Sequence, residues 1–496
     1  MTELTVAAID LGAESGRVTR AAFDGRRIDL SIVNRFSNTP LDDNGRPRWD
    51  IASLWESALS GLHSLGAQTK VSSVGVDSWG VDFGLLKDGA LLEAPLTYRD
   101  TGREAGFVYA MRRWGANRFY DATGSQLHEI NSVYGLIDET RRRPDLLTSA
   151  DQLLMIPDVL HHRLSGSRVT EYTVATTTGM FDLGRGRWAS ELVSELGIPT
   201  SLLPEVVAPG TDLGRLRIDD AESGLALTRV IAPATHDTAS AVIAIPRPKS
   251  TTLFISSGTW SLAGILVDHP IVNETARLAK LTNEGGYAGK TRFLRDIVGL
   301  WVLQECRRQW KRDGLDLDYE TLGALTAAEP ALASYVDIEA VDFLRPGDMP
   351  ARIRSACAAT GMTVPDSPGQ IARVVVDSLA LAYRRVVRDV ESATGISATE
   401  VAVVGGGTAN GVLQQSTASA TGLPVICWAR EATALGNSAV QLAALGELNG
   451  PDEIWDVVAA STTPRTFTPV DTSRWDDAAA RLDELRFRSA EHASTS

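Results

Sequence analysis

The amino-acid sequence predicts an α/β protein built from two related domains, and three observations carry that reading. The chain has 496 residues, more than a single hydrophobic core usually serves. A strand that runs into a glycine-centred loop and returns as a strand opens the chain at residues 6–23, and the pattern recurs at residues 251–267. Around these two hairpins, short apolar strands alternate with amphipathic helical stretches. Pro246-Arg247-Pro248-Lys249, just ahead of the second hairpin, is the expected joint. The expected division is therefore a first domain over 1–247, a second over 248–455, and a segment 456–496 packing back on the first.

Composition narrows the class. Hydrophobic residues make up 44% and charged residues 22%, an ordinary globular balance. The formal charge, 48 basic minus 62 acidic residues, is -14, which argues against nucleic acid or an anionic membrane as the main partner. Three cysteines, Cys306, Cys357 and Cys427, are too few and too scattered for a disulfide framework or a zinc ribbon. The N-terminus enters a strand directly, with no secretory leader pattern, and no apolar run approaches a membrane span, so a cytoplasmic protein is expected.

The first hairpin reads as a strand ending in Asp10, a tight loop from Gly12 to Gly16, and a second strand from Arg17 that Asp24-Gly25 turns into a third. Its glycines allow a sharp turn and close approach of backbone to a bulky ligand. Successive amide N–H groups in such a loop form an anion-sized concavity, and Arg17 adds a planar cation suited to phosphate. The loop leads into a strand, whereas the P-loop and the dinucleotide fingerprint both open a helix, so neither applies.

Residues 50–66 carry a helical pattern with Asp50 as N-cap, and His63 suits its surface or core edge. A buried strand over Val74–Val76 delivers Ser78-Trp79-Gly80 to its carboxyl end, where open α/β sheets place ligands. Trp79 beside Gly80 offers a flat apolar wall; equally, Trp79 and Phe83 suit the core. Tyr98-Arg99-Asp100 suits sugar hydroxyls or a surface ion pair. From 100 to 230 the pattern is mostly helical and polar, with strand-like pieces around 169–179. Arg141-Arg142-Arg143 reads as a solvated helix end, and Thr176-Thr177-Thr178 is too short to signify.

A strand near Val230 then leads to His236-Asp237-Thr238, after which small residues start a helix. An acid at a strand end beside a helix N-terminus is placed to work on a ligand, with simple N-capping by Asp237 or Thr238 as the alternative. The second hairpin centres on Ser256-Ser257-Gly258-Thr259. Beyond it come a turn at 283–286, a strand over Arg292–Leu294, a helix from Asp296 that carries Gln304, and long helices over 350–395. A buried strand from Val401 breaks into Gly405-Gly406-Gly407 before a helix over 411–421. Three glycines there suit close approach to a flat group such as adenosine, or a tight strand-to-helix turn. Further helices open at Ala432 and cover Arg474–Phe487.

Together Asp10–Arg17, Ser78–Phe83, His236–Val242, Ser256–Leu262, Thr282–Gly286, Gly299–Trp301 and Val404–Gly407 resemble the FGGY carbohydrate kinases of the actin-like ATPase superfamily. The matches run in order from about residue 6 to about residue 470. The resemblance implies two duplicated actin-like, ribonuclease H-like domains with a nucleotide and sugar cleft between them. It implies ATP-dependent phosphorylation of L-rhamnulose at O1, since the strings at 78–83 and 236–242 resemble that subfamily. Asp237 would be the general base. Ala13, Glu14, Ser15, Gly16, Arg17, Thr259, Gln304 and Gly406 would contact ATP. Gly80, His236, Asp237, Thr238 and Asp296 would contact the sugar, and Asp10 and Asp237 would hold Mg²⁺ through water.

Two positions depart from the family pattern. Asp296 stands where Asn is expected, which exchanges an amide donor for an acceptor-only carboxylate and alters the hydroxyl pattern this contact accepts. Glu14 stands where a small or hydroxyl residue is expected, and its charge would repel ATP unless it points outward or helps hold Mg²⁺ through water. Expected partners are thus a small ketose and ATP, with no nucleic acid and no membrane, in a monomer or small homo-oligomer. Other FGGY kinases, acting on L-fuculose, xylulose or a related ketose, form one alternative. A non-catalytic actin-like ATP-binding sensor forms another.

Overall fold

The structure is a computed structural model that describes residues 3–218 and 224–495, of which 488–495 are described by backbone alone. It divides into two compact units, neither of them a continuous stretch of chain. Unit 1 is Met1–Pro248, Leu266–Phe293 and Glu431–Thr463; unit 2 is Lys249–Ile265, Leu294–Arg430 and Pro464–Ser496. The linear division into 1–247, 248–455 and 456–496 therefore needs correcting, because the chain returns to unit 1 twice.

In unit 1, six strands form one sheet: β1 (Leu4–Leu11), β2 (Ser15–Phe23), β3 (Ile28–Ser37), β4 (Ser73–Ser78), β5 (Thr211–Arg215) and β6 (Arg229–Ala232). Their spatial order is β5-β6-β4-β1-β2-β3. β1 pairs antiparallel with β2 and parallel with β4, while β6 runs parallel to β4 and antiparallel to β5. β4 is buried throughout and β1 at all but its first residue, which is why both read as near-continuous apolar runs rather than an alternation. The helix Ile51–Gly66 is capped by Asp50, whose side chain accepts from Ser53 N. The helix Ala432–Ala444 reaches the sheet through polar side chains: Gln441 Nε2 donates to Ala7 O at 3.0 Å, and Ser73 Oγ donates to Gln441 Oε1 at 2.7 Å. Gly75 permits that approach, because a Cβ there would lie 2.9 Å from both Asn437 Oδ1 and Gln441 Nε2. On another side His161 Nε2 accepts from Val76 N at 3.0 Å, and burial pushes its pKa down to about 3. A neutral ring is what an acceptor requires.

Unit 2 repeats the plan. β7 (Thr252–Ser257) pairs antiparallel with β8 (Trp260–Val267). With β9 (Thr291–Val298), β10 (Glu400–Val404), β11 (Val425–Cys427) and β12 (Arg465–Phe467), six of the sheet's seven strands take the order β9-β8-β7-β10-β11-β12, and the strand Thr282–Gly285 lies next to β9. β7 runs parallel to β10 and β10 to β11, and β12 closes antiparallel on β11. These six strands follow the order found in unit 1, so the duplication suggested by the two hairpins extends to all of this sheet but the strand Thr282–Gly285, which has no counterpart in the first. The helix Pro368–Thr394 starts with a capping box between Ser367 and Gln370 and stops at Gly395, which is left-handed.

The segment 464–496 belongs to unit 2, because β12 extends that unit's sheet. The terminal helix Thr472–Thr495 then buries Trp475 and Leu482, and its Asp476 pairs with Arg384. A second correction concerns Asp296, expected at a helix start. β9 continues through it to Val298, and the helix Trp301–Arg312 begins only after Gly299. A Cβ at Gly299 would lie 2.7 Å from Ser261 N, so the chain must turn there. Third, the strand-like pieces expected at 169–179 reduce to Thr170–Glu171, after which Tyr172–Ala175 forms a short α-helix and Thr176–Thr178 a 3-10 turn. Among the described residues no helix is long and apolar enough to cross a membrane.

Candidate active site

The first hairpin is tighter than expected, since β2 starts at Ser15 and leaves a loop of Gly12, Ala13 and Glu14. Gly12 N donates to Ser15 O at 2.9 Å across it. Asn38, just past β3, holds the loop from the side: its N donates to Glu14 O and its Nδ2 to Gly12 O, both at 2.9 Å. Gly16 is required because a Cβ there would lie 2.3 Å from the Phe36 ring. Arg17 sits opposite Asp10 across the β1–β2 ladder. Its Nε donates to Asp10 Oδ2 at 2.9 Å and its Nη1 to Glu431 Oε2 at 2.5 Å. A phosphate at Arg17 must therefore compete with Glu431.

Asp10 has a neighbour that the motif reading missed. The parallel register of β1 and β4 sets Asp77 beside it. Asp77 is fully buried, takes a 2.5 Å hydrogen bond from Asn437 Nδ2 on Oδ2, and has no protein partner for Oδ1. Burial, and then the charge of Asp10, push its carboxyl well above the usual range. Asp10 is raised as well, by burial against the opposing pull of Arg17, with Asp237 adding to the rise. A sequence signal for Asp77 existed: it ends the apolar run 74–76 just as Asp10 ends the run 6–9.

His236 is the N-cap position of the helix Asp237–Ile243, so Asp237 is its first residue rather than its cap. Asp237 Oδ1 accepts from Thr238 N at 2.5 Å and from Thr238 Oγ1 at 3.2 Å, and His236 Nε2 lies 3.4 Å from the same oxygen. All three contacts fall on Oδ1. The side chain is 31% exposed, and the enclosure of its carboxyl raises the pKa against the opposing effects of His236 and Thr238. Behind His236 stand Glu284, inside the string 282–286, and Arg292, to neither of which the sequence reading gave a role. Arg292 Nη2 lies 3.0 Å from His236 Nδ1 and 2.9 Å from Glu284 Oε2. His236 Nδ1 also lies 3.3 Å from the same Glu284 oxygen, so the ring is held between Arg292 and Glu284 on one side and Asp237 on the other.

Gly80 follows β4, and a Cβ on it would lie 2.9 Å from the Thr177 side chain. Gly80, His236, Asp237 and Thr238 all lie in unit 1, with Asp10 and residues 13–17. Asp296 lies in unit 2. Trp79 is a core residue: it is 6% exposed, packs on Trp49 at 4.3 Å, and donates Nε1 to Asp82 at 2.9 Å. Asp100 forms a buried pair with Arg46 at 2.6 Å instead of meeting hydroxyls. The Arg141–Arg143 run is only partly solvated, because Arg143 Nη2 pairs with Glu93 at 2.8 Å and Arg141 stacks on Tyr109.

Within unit 2, Leu300 N and Trp301 N donate to Gly258 O and Thr259 O, each at 3.0 Å, which docks the second loop on the helix that bears Gln304. Gln304 Oε1 is buried without a protein partner. The three glycines after β10 differ in purpose. Gly405 has φ +89°, Gly407 would place a Cβ 2.0 Å from Ser257 Oγ, and Gly406 faces open space. Only Gly406 has room for a ligand on that side.

A model of the FGGY family's N-terminal domain matches residues 5–244, and one of its C-terminal domain matches 253–445. The chain belongs to the FGGY family of carbohydrate kinases. This FGGY kinase is 39% identical to a rhamnulokinase of Pectobacterium carotovorum over 90% of this chain and 89% of that one. It is 36% identical to a rhamnulokinase of Bacteroides thetaiotaomicron, over 95% and 97% of the two chains. A solved xylulose kinase from Lactobacillus acidophilus superposes with a TM-score of 0.81 at 17% identity, over 99% and 100% of the two chains. That last likeness shows a shared fold, and with the family match it bears out the duplicated α/β architecture.

Proposed function

We propose that this FGGY kinase transfers the γ-phosphoryl group of ATP to O1 of L-rhamnulose, with Asp237 as general base. The observation that carries the mechanism is the asymmetry of Asp237: Thr238 and His236 occupy Oδ1, and none of these contacts falls on Oδ2. A ketose hydroxyl is a weak nucleophile at neutral pH and needs a positioned acceptor for its proton. Oδ2 would take the O1 proton as O1 attacks the γ-phosphorus and ADP leaves in line. The raised pKa of Asp237 suits that role, since a stronger base accepts the proton more readily. Identities of 36% and 39% to proteins named rhamnulokinase support the substrate.

ATP contacts would come from Ala13, Glu14, Ser15, Gly16 and Arg17, and from Thr259, Gln304 and Gly406. Among the described residues no group of three His, Cys, Asp or Glu side chains is arranged to hold a metal ion directly. The residues present fit a hydrated Mg²⁺ held through water: Asp237 is close enough to Asp10 to raise its affinity for positive charge. The cation would neutralise phosphate charge. Gly80, His236, Thr238 and Asp296 would orient the sugar.

The reading is tested by coupling ADP release to a panel of L-rhamnulose, L-fuculose and xylulose. L-rhamnulose is expected to give the highest kcat/KM, and turnover of none would refute the kinase reading. A second reading, a kinase for another ketose, is favoured by Asp296, because a carboxylate there demands a hydroxyl donor. In that case another sugar would lead the panel.

A further inference from the structure

The run Glu171–Thr178 carries no motif, yet its side chains hold three separate pieces of the candidate sugar site. Glu171, fully buried, accepts from Thr235 N at 2.9 Å and Thr235 Oγ1 at 2.8 Å, and also from Thr173 N at 2.9 Å. Thr173 Oγ1 accepts from His236 N at 3.1 Å. One turn on, Thr176 Oγ1 accepts from Gly285 N at 2.8 Å, beside Glu284. Thr177 Oγ1 accepts from Val81 N at 2.9 Å, beside Gly80.

Val81 makes the last contact informative. Its φ is +64°, left-handed backbone that a β-branched residue adopts only at a cost. Such a conformation persists when the surroundings over-determine it. Here Thr177 fixes the N–H, and Ser132 Oγ, at 2.6 Å, and Arg103 Nη1, at 3.3 Å, fix the carbonyl. Mere packing would be satisfied by a glycine or a relaxed turn. Holding a strained valine aims the preceding peptide, that of Gly80.

We infer that Glu171–Thr177 is a positioning segment for the sugar: Thr177 sets the Gly80–Val81 peptide against the ketose, and Glu171 with Thr173 sets the aim of Asp237 through Thr235 and His236. The inference rests on the kinase reading above and adds to it residues that do not touch substrate. It assigns the two ends of the segment different kinetic signatures, because one end serves binding and the other the reacting group.

The test is steady-state kinetics on the full-length enzyme with the best ketose of the panel, alongside thermal melting. Thr177→Val removes the acceptor at constant shape and is expected to raise the ketose KM about tenfold with the ATP KM unchanged. Thr177→Ser restores the oxygen and should return KM to within about twofold of the parent. Glu171→Gln replaces one acceptor oxygen by a donor and should lower kcat about tenfold with a smaller change in KM. Should Thr177→Val not fold, Thr177→Ala deletes the hydroxyl without adding a methyl, and it is read in the same way. Unmoved kinetics in folded variants, or a serine variant as impaired as the valine one, overturns this inference alone. A parent enzyme that turns over no ketose overturns the kinase reading and this inference with it.

Discussion

At the end of β1, Asp10 lies beside Asp77 across a parallel strand pair; at the matching register of unit 2, Ser256 lies beside Val404. The loops that follow differ in the same sense. Gly12–Glu14 leads to Arg17, already paired with two carboxylates, whereas Gly258-Thr259 is flanked by hydroxyls, and Ser257 just before it packs near Gly405 and Gly407. Strand pairing is made by backbone groups, so a duplicated sheet keeps its order while its side chains change freely. The comparison teaches that the copies divide the chemistry: unit 1 gathers the charge, and unit 2 offers uncharged surface that backbone and ligand can approach closely.

The sharpest way to break that division is Asp237→Asn. It should keep the fold and sugar binding while lowering kcat by about 10³-fold or more, read by coupled ADP release; a variant with a tenth of parental activity would put the base elsewhere. Next, Asp10→Asn and Ser256→Ala probe equivalent positions of the two hairpins. The first should lower kcat by about 10²-fold and raise the Mg²⁺ concentration needed, and the second should change kcat by about twofold or less. Comparable losses in both would end the contrast.

Smaller in effect, Gly407→Ala must displace Ser257 and is expected to raise the ATP KM by about tenfold and cost about 1–3 kcal/mol of stability, measured by denaturant melts. Gly406→Ala, facing open space, should melt like the parent and affect only ATP. The subtlest test is Asp77→Asn. The folded protein holds a proton on Asp77 above the pH at which the unfolded chain releases it, so stability falls as pH rises through that window. The amide carries no such penalty. The variant should melt at a higher temperature than the parent at pH 7, and the gain should vanish as pH approaches the ordinary carboxylate value near 3.8.

Much of this site was legible in the chain because local patterns encode it. Asp10, Gly16 and Arg17 share one hairpin, and His236-Asp237-Thr238 sits at the start of one helix. What was not legible depends on pairings between distant segments. Asn437 reaches Asp77 across 360 residues, and Glu171 reaches Thr235 across 64. The threonines at 176–178 read as too short a run to signify, because hydroxyls that serve other loops have no period of their own. Asp296 was misplaced for a related reason: the apolar positions of β9 and the following helix run together, and only the turn at Gly299 separates them.

The helix Ala432–Ala444 has a consequence for how the polypeptide is made. Gln441 donates to Ala7, a partner synthesised 434 residues earlier. A ribosome that has released β1 to β6 has therefore not yet supplied the piece that satisfies Ser73, Asp77 and the carbonyl of Ala7. The first sheet must wait, partly unlatched, while unit 2 emerges as far as Arg430. Any fragment cut before residue 431 would carry an uncovered strand face and an acid stripped of its amide partner.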